Sequence, residues 1–215
     1  GLADAFLVGA DFIGADKVAL ILGDNLFYGY GLGEQLQRHT DPTGAVVFGL
    51  WAHDPHRYGV LELDADGRVV GIHEKPADPP SHLMVPGLYF YDDTVVERAR
   101  ALQPSSRGEI EITDLNAGYL RDGLLEVCRL PFSTDWFDVG TFDALLDAQN
   151  WVAGQQHRNG LLIGSPEAAA HREGFIDTEQ LHRLAAAIDH DGDLAKSGYA
   201  ERLLRILELE GEMPR

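Results

Sequence analysis

An apolar run near the amino end of the chain stops abruptly at a polar turn. Residues 18–22 read Val-Ala-Leu-Ile-Leu, and Gly23, Asp24 and Asn25 follow them. A run of this kind that ends at a turn residue is typical of a strand buried on both faces. Open α/β sheets bind their ligands at the carboxyl ends of such strands. Asp24 is therefore the first candidate functional residue, although an Asp after a strand is also common in ordinary turns.

The segments that follow have a strand, helix, strand order. A glycine-rich turn at residues 29–33 leads to a short helical stretch at 34–38 and a second apolar strand at 45–50. This order builds parallel sheets. Residues 58–63 and 68–74 alternate apolar and polar side chains around a short loop, which predicts a hairpin. We therefore expect an α/β fold with a mixed, mostly parallel sheet flanked by helices.

The two ends of the chain favour helices. Residues 1–13 have the apolar spacing of a helix. In the last third, Thr141 can cap a helix, and Asp177 with Gln180 forms a capping-box pattern. The apolar face of the helix after Thr141 consists of Phe142, Leu145, Leu146 and Val152. We expect a core at residues 1–150 and a helical region at 151–215 packed on it.

The composition limits the classes of partner. With 35 acidic against 17 basic residues the net charge is -18, which argues against nucleic acid or anionic membrane binding through a basic face. No apolar stretch approaches the roughly 20 residues of a membrane span. The single cysteine, Cys128, excludes an internal disulfide, fits a cytoplasmic protein and is more typical of a core residue than of a nucleophile. Small molecules are the expected partners.

A second carboxylate and two cations extend the candidate site. Asp138 lies between an aromatic pair and a Gly-Thr helix start, and with Asp24 it could hold one Mg²⁺. Its alternative role is a cap beside Thr141. Because Pro76 favours an extended backbone at Lys75, the Lys75 ammonium could project towards an anion, although an exposed Glu-Lys pair is favoured from sequence alone. Arg107 could supply a second cation or lie in a surface loop.

Two enzyme classes fit less well. The glycines at 29, 31 and 33 follow a strand, but their Gly-x-Gly-x-Gly spacing is not the dinucleotide-binding Gly-x-Gly-x-x-Gly. A glycosidase would use Asp24 and Asp138 as an acid and nucleophile pair without a metal. The nearby Lys75 and Arg107 argue for a phosphate ligand instead.

Six short blocks, in order over nearly the whole chain, together resemble the bacterial glucose-1-phosphate thymidylyltransferases. The blocks are residues 22–29 (LGDNLFYG), 57–60 (RYGV), 74–76 (EKP), 87–92 (GLYFYD), 107–114 (RGEIEITD) and 137–141 (FDVGT). The tail from Arg158 to Tyr199 also looks like the helical end of these enzymes, which separates them from more distant sugar nucleotidyltransferases.

The resemblance implies a nucleotide-diphospho-sugar transferase fold and the reaction of dTTP with glucose 1-phosphate to give dTDP-glucose and pyrophosphate. It implies that Asp24 and Asp138 hold Mg²⁺ and that these two residues and Lys75 are catalytic. The implied substrate-binding residues are Gly1 and Leu2 beside the thymine, Gly59, Glu74, Val85 and Tyr89 around the sugar, Lys75 and Arg107 at the phosphate, and Asp24 and Asn25 at the metal. Such transfers depend on alignment and charge neutralisation more than on proton transfer.

The family's first strand and its glycine-rich loop, Gly-Gly-x-Gly-Thr-Arg-Leu, are absent from this sequence. We therefore expect that the chain starts inside the enzyme and that these 215 residues alone turn over little or no substrate. The alternative is a non-catalytic sugar-nucleotide binding or regulatory module. An acidic loop at residues 189–193 is a further departure from the family. The resemblance also implies a cytoplasmic homotetramer that serves dTDP-rhamnose biosynthesis.

Overall fold

A computed structural model of the chain describes residues 1–190 and 197–212. Residues 191–193 of the acidic loop lie outside the described residues. The chain forms two compact units, Gly1–Val139 and Gly140–Arg215. In the described part of the chain, no helix has the length and apolar character that crossing a membrane requires.

The strands alternate with short helices in the first unit, and helices make up the second. The strands are β1 (Val18–Ile21), β2 (Asn25–Tyr28), β3 (Ala45–Trp51), β4 (Gly59–Leu63), β5 (Val69–Glu74), β6 (Leu83–Val85), β7 (Leu88–Tyr91), β8 (Leu125–Arg129) and β9 (Asp135–Asp138). The helices are α1 (Asp4–Val8), α2 (Ala10–Ile13), α3 (Leu32–Gln37), α4 (Val95–Ala101), α5 (Ile112–Arg121), α6 (Phe142–Asn159), α7 (Pro166–Arg172), α8 (Thr178–Asp189) and α9 (Tyr199–Glu212). The expected first helix is divided at Gly9, a poor helix former. Residue 150, where we expected the boundary, lies inside α6.

The main sheet is mixed, but its pairings are not mostly parallel as expected. Its order is β1-β7-β3-β6-β4-β5, and β8 pairs with β3. Among the described strands, β3 and β8 form the one parallel pair. The reason is that β7 lies between β1 and β3 and is antiparallel to both, so that β1 and β3 point the same way without pairing.

The first strand is not buried on both faces, which corrects our expectation. β1 lies at the edge of the sheet, where it pairs with β7. Its residues alternate between partly buried and exposed, and Ile21 is 58% exposed. An apolar run predicts a strand, but its position in the sheet decides how many faces other elements cover.

Alternate residues of the central strands build two hydrophobic cores on the two faces of the sheet. On one face, Val47 of β3 and Tyr91 of β7 pack with buried residues of α1, α4 and α5. On the other face, Phe48 and Phe90 pack with residues of α3, β2 and β9, including Trp136. The two-stranded ribbon of β2 and β9 is therefore held against the sheet by apolar contacts.

The second unit has a small core of its own. Leu181, Ala185, Ala200 and Leu203 are buried where α8 and α9 pack together. The predicted caps are confirmed, because Thr141 accepts a hydrogen bond from the Ala144 N–H and Asp177 forms a capping box with Gln180.

The predicted apolar face of α6 is exposed rather than buried. Phe142 is 92% exposed, and Leu145 and Leu146 are also exposed. Of the residues of α6, Ala148 alone is buried in the described structure. The apolar pattern therefore identified the helix correctly but not the environment of its apolar side.

Candidate active site

One cavity in the first unit brings together nearly all the predicted site residues. It has a volume of about 240 Å³. The predicted residues that line it are Leu2, Asp24, Asn25, Gly59, Glu74, Lys75, Val85, Tyr89, Arg107 and Asp138. Gly1 is not among the lining residues, and its ammonium group pairs with the Asp4 carboxylate at 2.5 Å.

The position of Gly59 leaves no room for a side chain. Gly59 begins β4, where it pairs with Glu74 of β5 on one side and with Val85 of β6 on the other. A Cβ atom at this position would lie 3.1 Å from the Thr113 Oγ1 atom, closer than most real Cβ contacts. The register of the strands places Gly59 beside Glu74, and α5 brings the Thr113 hydroxyl group to the same place.

Lys75 has a strained backbone. Its φ angle is 43°, which makes it the one non-glycine residue with positive φ in the described part of the chain. We expected an extended backbone before Pro76, and this expectation is wrong. The Lys75 N–H donates to the Tyr58 carbonyl at 3.0 Å, so the hairpin end fixes the backbone against its local preference. Conformations of this kind cost about 1–3 kcal/mol and cluster at functional sites.

Glu74 and Lys75 form a partly exposed ion pair, and both also line the candidate site. The Lys75 Nζ atom lies 3.7 Å from the Glu74 Oε1 atom, and the Lys75 side chain is half exposed. Both residues also line the cavity. The pair is therefore part of the candidate site and not an isolated surface pair.

Arg107 is enclosed by carboxylates. Its Nη2 atom lies 2.9 Å from both oxygens of Glu111 and 3.3 Å from the Glu74 Oε1 atom. Glu111, whose side chain is 7% exposed, also accepts a hydrogen bond from Ser105 at 2.7 Å. Burial alone would raise the pKa of Glu111, but hydrogen bonds from Ser105 and Arg107 outweigh it and lower the pKa. The hydrogen bond to Glu111 raises the pKa of Arg107, so this guanidinium stays charged.

Glu74 is fixed in orientation by its neighbours. The Thr113 hydroxyl donates to the Glu74 Oε2 atom, while Arg107 donates to Oε1. The pKa of the buried Tyr89 is raised by its burial and further by the negative charge of Glu74. A carboxylate held in this way can accept hydrogen bonds from a polar ligand without first reorganising.

Asp24 and Asp138 lie at the same end of the ribbon of β2 and β9. Asn25 is paired with Asp138 in the register of the ribbon, and the Val139 N–H donates to the Asp24 carbonyl at 2.8 Å. Both carboxylates line the cavity. The ribbon therefore brings together two acidic residues that are far apart in the sequence.

Two residues that the sequence analysis did not select contact Asp138. The Arg57 Nη2 atom lies 3.9 Å from the Asp138 Oδ2 atom, and the Arg57 side chain is 56% exposed. The pKa of Tyr58 is raised, first by burial and also by its hydrogen bond to the Asp138 carboxylate. Arg57 ends a short 3₁₀ turn just before β4. Both residues belong to the RYGV block, which could have identified them from the sequence.

The two aspartates fit a hard divalent cation. Among residues 1–190 and 197–212, no group of three or more His, Cys, Asp or Glu side chains is arranged to hold a metal ion. Asp24 and Asp138, the predicted ligands, both line the cavity and offer carboxylate oxygens. Mg²⁺ commonly binds through one or two carboxylates and completes its shell with waters and substrate phosphates. The donor set suits Mg²⁺ and differs from a closed zinc site.

Other lining residues were missed because their roles depend on tertiary contacts. They are Glu109, Glu111, Thr113, Asn116 and Trp136. Trp136 could have been found, since it lies two residues before Asp138 in a strand and therefore shares its face. Glu111 and Thr113 lie within the RGEIEITD block, but that block does not reveal which of its side chains face the cavity.

A comparison with protein-family models places this cavity in a known context. The model described as nucleotidyl transferase matches residues 1–155. The chain belongs to the nucleotidyl transferase family. Among curated relatives of this nucleotidyl transferase, a glucose-1-phosphate thymidylyltransferase of Mycolicibacterium smegmatis is 52% identical over 98% of this chain. One of Mycobacterium tuberculosis is 50% identical over 97% of it.

Solved structures support the same fold. A crystal structure from Bacillus anthracis, assigned as a glucose-1-phosphate thymidylyltransferase, is 36% identical over 70% of this chain, with a TM-score of 0.60. A UDP-glucose pyrophosphorylase complexed with UDP-glucose is 23% identical over 72% of the chain, with a TM-score of 0.62, and supports the fold alone. This chain spans 71% and 70% of the two mycobacterial relatives but only 60% of the B. anthracis chain.

Proposed function

We propose that the protein carrying this chain is a glucose-1-phosphate thymidylyltransferase, which makes dTDP-glucose and pyrophosphate from dTTP and glucose 1-phosphate. The observation that carries the proposal is a single cavity that combines an oriented carboxylate, two cations and a pair of aspartates. The names of relatives at about half identity support the choice of substrates.

The sugar binds beside Glu74 and Gly59. Glu74 is held by Thr113 and Arg107, so its oxygens can accept hydrogen bonds from sugar hydroxyl groups. Gly59 allows the sugar to approach the backbone, since a side chain there would occupy the same space. A sugar hydroxyl group suits Glu74 because this carboxylate is already paired with Arg107 and its oxygens can accept further hydrogen bonds.

The phosphate of the sugar lies beside Lys75, with Arg107 as the second cation. The attacking phosphate oxygen forms a bond to the α-phosphorus of dTTP while the bond to the leaving pyrophosphate breaks. Lys75 reduces the repulsion between the two anions and aligns the attacking oxygen. No proton has to move, because the phosphate oxygen is already ionised.

Asp24 and Asp138 would hold Mg²⁺. Their side chains are oxygen donors that line the cavity from the ribbon of β2 and β9. When bound, Mg²⁺ supplies positive charge that neutralises the phosphate oxygens of the nucleotide.

The decisive experiment incubates the protein that carries this chain with dTTP, glucose 1-phosphate and Mg²⁺ and measures pyrophosphate release. Turnover that is lost on chelation of Mg²⁺ and is much slower with UTP or CTP supports the proposal. Faster turnover with another nucleotide would overturn the choice of substrate. Binding of dTDP-glucose without turnover would instead favour a non-catalytic binding or regulatory module. The same assay on the 215 residues alone tests whether they turn over substrate.

The remaining expectations are part of the same proposal. The protein acts as a cytoplasmic homotetramer that supplies dTDP-rhamnose biosynthesis. Light scattering after size-exclusion chromatography measures the number of subunits. Deletion of the gene, followed by measurement of the cellular dTDP-rhamnose level, tests the role in that pathway.

A further inference from the structure

A chain of hydrogen bonds runs behind Asp24. The Asn25 Nδ2 atom donates to the Asp24 Oδ1 atom at 2.9 Å. The Asn25 Oδ1 atom accepts two hydrogen bonds, from the Trp136 indole Nε1–H at 2.8 Å and from the Gly87 N–H at 3.0 Å. Trp136 lies diagonally across the ribbon from Asn25, where long side chains can meet.

These contacts leave the Asn25 amide only one suitable orientation. The indole N–H and the backbone N–H are donors that cannot accept a hydrogen bond, so they must face the amide oxygen. The amide nitrogen is then turned towards Asp24. Since Trp136 lies in β9 and Gly87 lies in the turn between β6 and β7, the orientation depends on the folded structure and not on the Asp-Asn sequence.

The hydrogen bond from Asn25 occupies one of the two carboxylate oxygens of Asp24. Asp24 is exposed, so that without such a contact its carboxylate would sample several rotamers. A hydrogen bond to Oδ1 restricts the side chain and leaves the Oδ2 atom for a cation. Partners of metal ligands commonly act in this way, and their loss lowers metal affinity.

Trp136 is connected to the second aspartate as well. Its ring packs edge-to-face against the Tyr58 ring, with centroids 5.1 Å apart, and the Tyr58 hydroxyl is hydrogen-bonded to Asp138. One aromatic side chain therefore supports the partners of both carboxylates.

We propose that Asn25 and Trp136 are positioning residues, which act through the Trp136–Asn25–Asp24 hydrogen bonds to preset the divalent-cation site before the metal binds. The inference rests on the proposed function for the identity of the site. It adds a support of Asp24 to the substrate contact that the family resemblance implies for Asn25.

The test measures binding of Mn²⁺, which also takes oxygen ligands, by electron paramagnetic resonance, with and without dTDP-glucose. The variants are made in the protein that carries this chain. Trp136→Phe removes the N–H group but keeps an aromatic ring against Tyr58. We expect Trp136→Phe to weaken Mn²⁺ binding about 3- to 10-fold, as for the loss of one hydrogen bond, and to leave the KM for glucose 1-phosphate within about 2-fold at saturating Mg²⁺.

A double-mutant cycle tests whether Trp136 acts on Asp24 through Asn25. If Trp136 acts through Asn25, the Trp136→Phe/Asn25→Ala double variant binds Mn²⁺ no more weakly than Asn25→Ala alone. Trp51→Phe is the matched control, because Trp51 stacks on His82 and does not line the candidate site. It should bind Mn²⁺ like the unmodified protein. Thermal unfolding of each variant shows whether it is folded.

Each contrary result has a distinct meaning. Unchanged Mn²⁺ affinity in folded Trp136→Phe, or additive losses in the double variant, overturns the positioning role. A raised KM for glucose 1-phosphate with unchanged Mn²⁺ affinity makes the two residues substrate contacts. If the unmodified protein binds no Mn²⁺ in either condition, the metal assignment of the proposed function fails, and this inference fails with it.

Discussion

The two sides of the candidate site are built in different ways. On the sugar side, Arg107 binds Glu111 at 2.9 Å and Glu74 at 3.3 Å, and Thr113 completes a closed network. On the ribbon side, the ion pair between Arg57 and Asp138 is longer, at 3.9 Å, and both Arg57 and Asp24 are exposed.

This difference indicates two kinds of ligand. Groups that are already paired with opposite charges favour a ligand that needs hydrogen bonds in fixed directions, such as a sugar. Asp24, which is exposed and accepts a hydrogen bond from the neutral Asn25 amide, retains its negative charge for a cation. Substitutions on the two sides should therefore have effects of different size and kind.

The largest effect should come from the ribbon side. We expect Asp24→Asn and Asp138→Asn each to lower kcat for dTDP-glucose formation about 10³-fold, since each removes a carboxylate that holds the cation. Pyrophosphate release at saturating substrates measures it. Asp135→Asn, on the same strand but outside the cavity, is the matched control. Activity of either variant within about tenfold of the unmodified protein would contradict the assignment of Asp24 and Asp138.

Lys75→Ala should have the next largest effect. We expect a loss of about 10²-fold in kcat/KM for glucose 1-phosphate, because the proposed function places the phosphate beside this ammonium, whose partner Glu74 lies 3.7 Å away. Lys17→Ala, which removes an exposed lysine paired with Asp41, serves as the control. Equal kinetics for the two variants would remove Lys75 from the site.

Gly59→Ala tests the packing on the sugar side. The new methyl group would crowd Thr113 at 3.1 Å and take the space of the sugar. We expect the KM for glucose 1-phosphate to rise roughly tenfold with kcat less affected, as for lost ground-state binding. Gly33→Ala, where a Cβ atom meets nothing within 4 Å, should leave both constants unchanged. A normal KM in folded Gly59→Ala would place the sugar elsewhere.

The smallest effect concerns stability and pH. The pKa of Glu111 is lowered in the folded protein, so its contribution to stability is present above roughly pH 4.3, the unfolded value. It is lost as the pH falls through the lowered folded pKa. Denaturant unfolding between pH 3 and pH 7 should show this loss in the unmodified protein and a flatter profile in Glu111→Gln. Identical profiles would mean that the Arg107–Glu111 pair adds nothing to stability.

The sequence predicted most strands, the helix caps and most of the residues that line one cavity, because these depend on local patterns and on short blocks of residues. It did not predict that β1 would be an edge strand or that β7 would separate β1 from β3. Strand order depends on contacts between segments that are distant along the chain, and no local pattern records them.

The sequence by itself determined which chemical groups are available: two aspartates after strands, a lysine before a proline and an arginine in a glycine-containing loop. Only the tertiary structure decided the backbone conformation, the positions and the partners of these groups. The hairpin end holds Lys75 at a φ of 43° against the preference of a residue before proline. The ribbon places Asp24 and Asp138 at the same end, and Glu111 and Thr113 fix Arg107 and Glu74. Each of these states depends on packing and hydrogen bonds between separate elements, which exist only once the chain is folded.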